Sequence, residues 1–274
     1  MVTLAERLSL DGRAVIVTGA GRGLGRQMAL ALARAGADIV AAARTIAQLE
    51  ETAAGVRAIG RRCLTVPTDV RDSAQVDALV GCCVRDLGRL DVMLANAGGG
   101  GAAAQVDVDA ATDEQWRDTL DTNLSSAFYC ARAAVRRFRT QGGGGNVILV
   151  ASGTGVRGDP RNWAYAAAKG GVISLAKSLA VRLAAEGIRV NCIVPGYIAR
   201  APAEDEAEAE RRRQHGRFVP VGRVGEAHEL GPLAVLLASG AAPYMTGGTF
   251  VIDGGGLAAG VAPTGWVPTA GEAS

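Results

Sequence analysis

The feature that most constrains the fold is a glycine-rich turn set between a strand-forming run and a helix-forming one. Val15-Ile16-Val17 runs directly into Thr18-Gly19-Ala20-Gly21-Arg22-Gly23-Leu24-Gly25, and the Ala/Leu-rich stretch from Met28 to Ala37 follows. Glycines let the backbone turn sharply and approach a pyrophosphate, whose charge is favoured at a helix N-terminus. The spacing is T-G-x-x-x-G-x-G rather than G-x-G-x-x-G. By itself it also reads as an ordinary glycine-rich turn.

The same alternation continues along the chain. Apolar runs recur at Ile39 to Ala43, Leu64 to Val66, Val92 to Ala95, Val147 to Ala151, Arg189 to Val194 and Thr249 to Ile252, with helical segments such as Ser73 to Leu87 between them. The strands are continuously apolar, as in a parallel sheet buried on both faces. About seven strands are expected, in one α/β domain over residues 1–256, with an irregular tail over 257–274.

Composition narrows the function classes. A net charge of +2 and 4% aromatic residues leave no basic or stacking footprint for nucleic acid. The five cysteines lack CxxC or disulfide spacing, and the two histidines, His215 and His228, make no metal-ligand cluster, so no metal is expected. No run of about 18 apolar residues suggests a membrane span. The first residues, Met1 to Arg13, carry charges where a signal peptide needs an apolar core, which points to the cytoplasm.

Tyr165 and Lys169 are four residues apart in a helix-forming stretch, which places phenol and ammonium on one face. A nearby cation favours phenolate and lowers the tyrosine pKa toward working pH. Ser152 follows the strand Val147 to Ala151, at the sheet edge where ligands bind, and can donate to a substrate oxygen. Lys169 is one of only two lysines, the other being Lys177.

With these motifs, and with Asp69-Val70, Asn96-Ala97-Gly98, Asn123, Pro195-Gly196 and the closing Thr246-Gly247-Gly248 and Asp253-Gly254-Gly255, residues 10 to 256 resemble a short-chain dehydrogenase/reductase of the 3-oxoacyl-(acyl carrier protein) reductase type. The resemblance implies a Rossmann-type three-layer sandwich with a doubly wound parallel sheet, and a ketoreductase-like activity that interconverts a small-molecule carbonyl and an alcohol. It makes Tyr165 the general acid and base, Lys169 the residue that poises it and holds the nicotinamide ribose, and Ser152 the group that polarises the carbonyl. By the same resemblance Asn123 would interrupt its helix and bind a relay water behind Lys169. Gly19, Arg22, Gly23, Leu24 and Gly25 form the diphosphate turn. Asp69 and Val70 flank the adenine, Asn96, Ala97 and Gly98 line the cofactor cleft, and Pro195, Gly196 and Ile198 lie near the nicotinamide. A homodimer or homotetramer is implied, through the helices near Asn123 and Tyr165 and the strand near Val251.

Two positions depart from the family pattern. Where NAD-preferring relatives carry an acid, this chain has Ala43 and then Arg44. A carboxylate binds the ribose hydroxyl, whereas an arginine pairs with a 2′-phosphate, so NADP(H) is expected, with NAD(H) as the alternative. Arg22 adds a second charge; Arg44 also reads as a solvated residue opening the next helix. Arg200 stands where the family's PGxxxT pattern has threonine, and either the carboxamide is held differently or Arg200 faces substrate. Competing readings are an NAD(H)-dependent alcohol, polyol or steroid dehydrogenase and a cofactor-binding scaffold without turnover. The substrate lid is expected over residues 197–218, with acid before base giving pairs such as Glu208 with Arg212, and Phe218, Val219 and Val221 supplying an apolar wall. Trp266 and Val267 in the tail are candidates for docking on a neighbouring subunit.

Overall fold

The computed structural model describes residues 2–100 and 106–259. Gly101 and the tail residues Trp266 and Val267 lie outside the described residues. The strands are β1 (Ala14–Thr18), β2 (Asp38–Ala43), β3 (Cys63–Pro67), β4 (Val92–Ala95), β5 (Gly145–Val150), β6 (Ile188–Pro195), β7 (Ile198–Ala199), β8 (Gly225–Glu226) and β9 (Thr249–Ile252). The helices are α1 (Leu4–Leu8), α2 (Gly23–Arg34), α3 (Ile46–Ala58), α4 (Ser73–Leu87), α5 (Asp113–Leu120), α6 (Ser126–Gln141), α7 (Thr154–Arg157), α8 (Trp163–Leu183), α9 (Glu206–Gly216) and α10 (Gly231–Ala238).

Seven strands form one all-parallel sheet in the order β3-β2-β1-β4-β5-β6-β9. Every residue of β1 and β4 is buried, which is why these runs are continuously apolar rather than alternating. The helices make two outer layers: α4, α6 and α8 close one core against the sheet, and α2, α3 and α10 the other. This is the doubly wound three-layer sandwich. The strand order reverses between β1 and β4, which opens a crevice at their carboxyl ends.

Polar anchors hold the opposite ends. Asp91, before β4, accepts from the Ala14 amide (2.9 Å) and pairs with Arg13 and Arg89. Asp38 at the start of β2 pairs with Arg61 and Arg62. Functional loops are thereby free to vary at one edge of a sheet fixed at the other. Sequence patterning does not reveal the two-residue ribbon β7–β8, since segments that short carry no periodicity. Among the described residues no helix is long and apolar enough to cross a membrane.

Candidate active site

The crevice between β1 and β4 is a cleft of about 540 Å³, and the glycine turn forms one wall. Gly19 (φ +67°) and Gly23 (φ +57°) adopt the left-handed region, which an L side chain enters only with strain. Packing leaves no alternative at Gly25: an added Cβ would stand 2.2 Å from the Gly19 carbonyl oxygen and 2.5 Å from Asn96 Nδ2. Arg22, the residue before α2, is extended and makes no side-chain cap, so no side chain takes up the first amides of the helix. An uncapped helix start beside a glycine cradle fits a diphosphate.

Across the crevice, the Asn96 side chain donates to the Thr18 carbonyl (3.0 Å), and the Asn96 and Ala97 amides donate to Thr18 Oγ1 (3.1 and 3.2 Å). These bonds lock the ends of β1 and β4 together. Sequence reasoning assigns Thr18 no role. Its signal is a hydroxyl at the carboxyl end of β1, in register with Ala95 of β4.

Gly19, Arg22, Gly23, Leu24 and Gly25 all line the cleft, as do Arg44, Asp69, Val70, Asn96, Ala97, Gly98, Tyr165 and Lys169. Ser152, Asn123, Pro195, Gly196 and Ile198 sit outside this lining. The Pro195 carbonyl accepts from the Gly153 amide at 2.9 Å, which ties the end of β6 to the Ser152 turn. Gly196 packs against Asp253, and Ile198 belongs to β7.

Asp69, the residue expected beside the adenine, is held by a neighbouring arginine. Arg71 closes back on its carboxylate through Nε (3.1 Å) and Nη2 (2.6 Å), and reaches Asp118 on α5 through Nη1 (3.0 Å). These bonds hold the Asp69 carboxyl below its usual range, against the effect of burial and with help from Arg44. Arg71 carries no motif, because Asp-x-Arg is a common local turn pairing.

Lys169 is buried, 3% exposed, and its ammonium donates to the Val150 carbonyl (2.9 Å) while lying 5.5 Å from the centroid of the Tyr165 ring. Burial pushes its pKa down to about 8. Burial also raises the Tyr165 phenol, opposed by the neighbouring Ser152 hydroxyl and by the positive charge of Arg200. Lys169 thus lies close to the Tyr165 ring, and Arg200 adds a further positive charge that lowers the phenol.

Asn123 lies in a π-helical turn, Asp121–Ser125, that joins α5 to α6, so the expected interruption of the helix is present. Its side chain donates to Gly99 O (2.9 Å) and accepts from Gly99 N (3.0 Å). Its Oδ1 and Lys169 Nζ lie close on either side of Gly98, 2.7 and 3.0 Å from where a Cβ would stand. Over α9, Glu208 and Arg212 form the expected ion pair. Val219 is buried on the Gly254 turn, whereas Phe218 and Val221 are exposed.

Comparison with known proteins agrees with this geometry. A family model described as enoyl-(acyl carrier protein) reductase matches residues 19–256. The chain is 37% identical over 257 residues to 2-dehydro-3-deoxy-D-gluconate 5-dehydrogenase of Escherichia coli strain K12, which covers 93% of this chain and 99% of the relative. It is 34% identical over 248 residues to L-rhamnose 1-dehydrogenase (NAD(P)(+)) of Sphingomonas sp. strain SKA58, covering 90% and 96%. The crystal structure of a short-chain type dehydrogenase/reductase from Mycobacterium marinum superposes with a TM-score of 0.84 at 34% identity, over 92% of this chain and 98% of that one. On a seven-stranded parallel sheet with this cleft, such likeness along nearly the whole chain has one reading: the protein belongs to the short-chain dehydrogenase/reductase family, NAD(P)-dependent oxidoreductases acting on CH–OH and C=O groups.

Proposed function

We propose that the protein is an NADP(H)-dependent oxidoreductase that interconverts a small-molecule carbonyl and a secondary alcohol, with Tyr165 as general acid and base. The observation that carries this reading is the meeting of Tyr165 and Lys169 in the cleft that begins at the glycine turn. The nicotinamide, when bound, supplies or accepts the hydride. In reduction the Tyr165 hydroxyl gives its proton to the oxygen of the reacting carbonyl, and Ser152 donates a hydrogen bond to the same oxygen. In oxidation the phenolate takes the proton back. Lys169 keeps donors free beyond its bond to Val150, and these serve the ribose hydroxyls. Asn123, near Lys169 across Gly98, holds a water through which the proton leaves.

NADP(H) is favoured because Arg22 and Arg44 line the adenosine end and, among the described residues, neither takes part in an ion pair, while Ala43 offers no carboxylate to repel a 2′-phosphate. Asp69 and Val70 bound the adenine; Pro195, Gly196 and Ile198 lie on the nicotinamide side. A cytoplasmic homodimer or homotetramer is supported by five free cysteines and by exposed Phe128 on α6, Val181 on α8 and Val251 on β9, the surfaces the family resemblance points to.

Replacing Tyr165 with Phe should leave NADPH binding intact and lower turnover by roughly 10² to 10⁴. Undiminished turnover removes Tyr165 from the chemistry. Arg44→Ala should lower kcat/KM with NADPH by about tenfold while sparing NADH, the worth of one charge-assisted contact. An equal loss with both cofactors refutes the 2′-phosphate assignment.

A further inference from the structure

Arg200 stands where relatives with the PGxxxT pattern have threonine, and it is an exposed residue. It lines the cleft with the glycine turn and with Tyr165 and Lys169. Its stem lies over the opening of α2: a Cβ built on Gly23 would stand 3.3 Å from Arg200 Cβ and 3.6 Å from its Cγ. Among the described residues no carboxylate forms an ion pair with its guanidinium, although Arg71, Arg89, Arg139 and Arg213 all find one. A guanidinium has five donors and no acceptor, so its natural complement is an anion presenting several oxygens.

The backbone that carries Arg200 is held in place. The preceding residues, Ile198 and Ala199, pair in parallel with Gly225 and Glu226. The next carbonyl, that of Ala201, accepts from Arg212 Nη1 of the lid helix α9 at 2.7 Å. The arm from β7 to α9 therefore presents one cation over the spot where a dinucleotide diphosphate meets the first amides of α2. A neutral carboxamide offers that solvated charge no counter-ion, whereas a diphosphate does.

We infer that Arg200 is a lid-borne clamp on the cofactor diphosphate, closing over the glycine turn at the opening of α2 and tying the substrate lid to cofactor occupancy. This rests on the dinucleotide reading of the cleft. It also separates Arg200 from Arg44: the clamp acts on NADH and NADPH alike, because both carry the diphosphate.

The test is equilibrium binding by the full chain of NADPH, NADH, ADP-ribose and adenosine, using wild type, Arg200→Met and Arg200→Lys. The Met variant should bind both dinucleotides and ADP-ribose roughly ten- to a hundredfold more weakly, with adenosine unaffected. Lys should restore part of the loss. Raising the salt concentration should weaken ADP-ribose binding less in the Met variant than in wild type, because one ionic contact is gone. Equal ADP-ribose affinity in wild type and a folded Met variant overturns the clamp. So does a loss confined to KM for a carboxylate-bearing ketone, which would make Arg200 a reader of substrate charge. Wild type that binds no dinucleotide would overturn the cofactor reading itself, a result distinct from either.

Discussion

Around the glycine turn, backbone meets backbone at distances that leave no room for a methyl group, as at Gly25 against Gly19 and Asn96. In the segment proposed as the substrate lid, α9 has a single buried residue, Gly216, and is laced by Glu206, Glu208 and Glu210 with Arg212 and Arg213. The first region can bind only what fits a fixed cradle. The second can change side chains, and its own position, without disturbing a core. A cofactor shared by many enzymes belongs in the rigid region, and a substrate particular to one enzyme in the region free to vary.

The sharpest way to break this contrast is a single methyl on each side. Gly25→Ala should abolish dinucleotide binding, a loss of at least about a hundredfold, and destabilise the fold by about 1–3 kcal/mol as the turn is forced open. Gly222→Ala, in the segment after α9, meets no atom within 4 Å and bears only the strain of φ +77°. It should cost about 1–2 kcal/mol and leave dinucleotide affinity unchanged. Titration of NADPH against the two variants, with thermal melts, checks both. Retention of binding by the Gly25 variant would mean that the cradle is softer than its packing implies.

The same contrast explains what the sequence discloses. Sheet and glycine turn are legible because buried parallel strands must be apolar throughout and because a turn that approaches a phosphate has no substitute for glycine. Tyr165 and Lys169 are legible because helix geometry alone puts them on one face. The Arg71–Asp69–Asp118 bridge and the placing of Arg200 over Gly23 are not. Long charged side chains carry no periodic signal, and a partner such as Asp118 for Arg71 is set by tertiary approach between segments far apart in the chain. The nearness of Arg200 to Tyr165 is hidden for that reason: spacing points to Lys169, and the fold adds Arg200.

A smaller effect separates stability from function inside the rigid region. Burial lowers Lys169 from its ordinary value of 10.5 to about 8. Below about pH 8 the ammonium is charged both folded and unfolded, so the cost of burying it is fully present. As pH rises from 8 to 10.5 the folded state loses its proton first, and the cost fades. Lys169→Met should therefore stabilise the ligand-free protein at pH 7. The relieved charge is worth about 3 kcal/mol, and the lost bond to the Val150 carbonyl takes back about 1 kcal/mol, for a net gain near 2 kcal/mol. Turnover should fall sharply. Denaturant melts at pH 7 and pH 10 give the check, with the advantage shrinking at the higher pH. A destabilised variant at pH 7 would show that the Val150 bond outweighs the burial cost.

The smallest effect is expected on the lid. Glu208 pairs with Arg212 one helical turn on, and its side chain is partly open to solvent. Paired exposed charges gain little, because water and salt screen them and holding two long side chains in one geometry costs entropy. Glu208→Gln leaves Arg212 able to reach the Ala201 carbonyl, so the arm carrying Arg200 keeps its tether. The melting temperature in physiological salt should stay within about one degree of wild type, since a shift of several degrees requires on the order of 1 kcal/mol. ADP-ribose affinity should be unchanged. A drop of several degrees would mean that α9 is coupled to the core as tightly as the turn is. The division between a rigid cofactor wall and an adaptable lid would then have to be redrawn around whatever contact transmits that coupling.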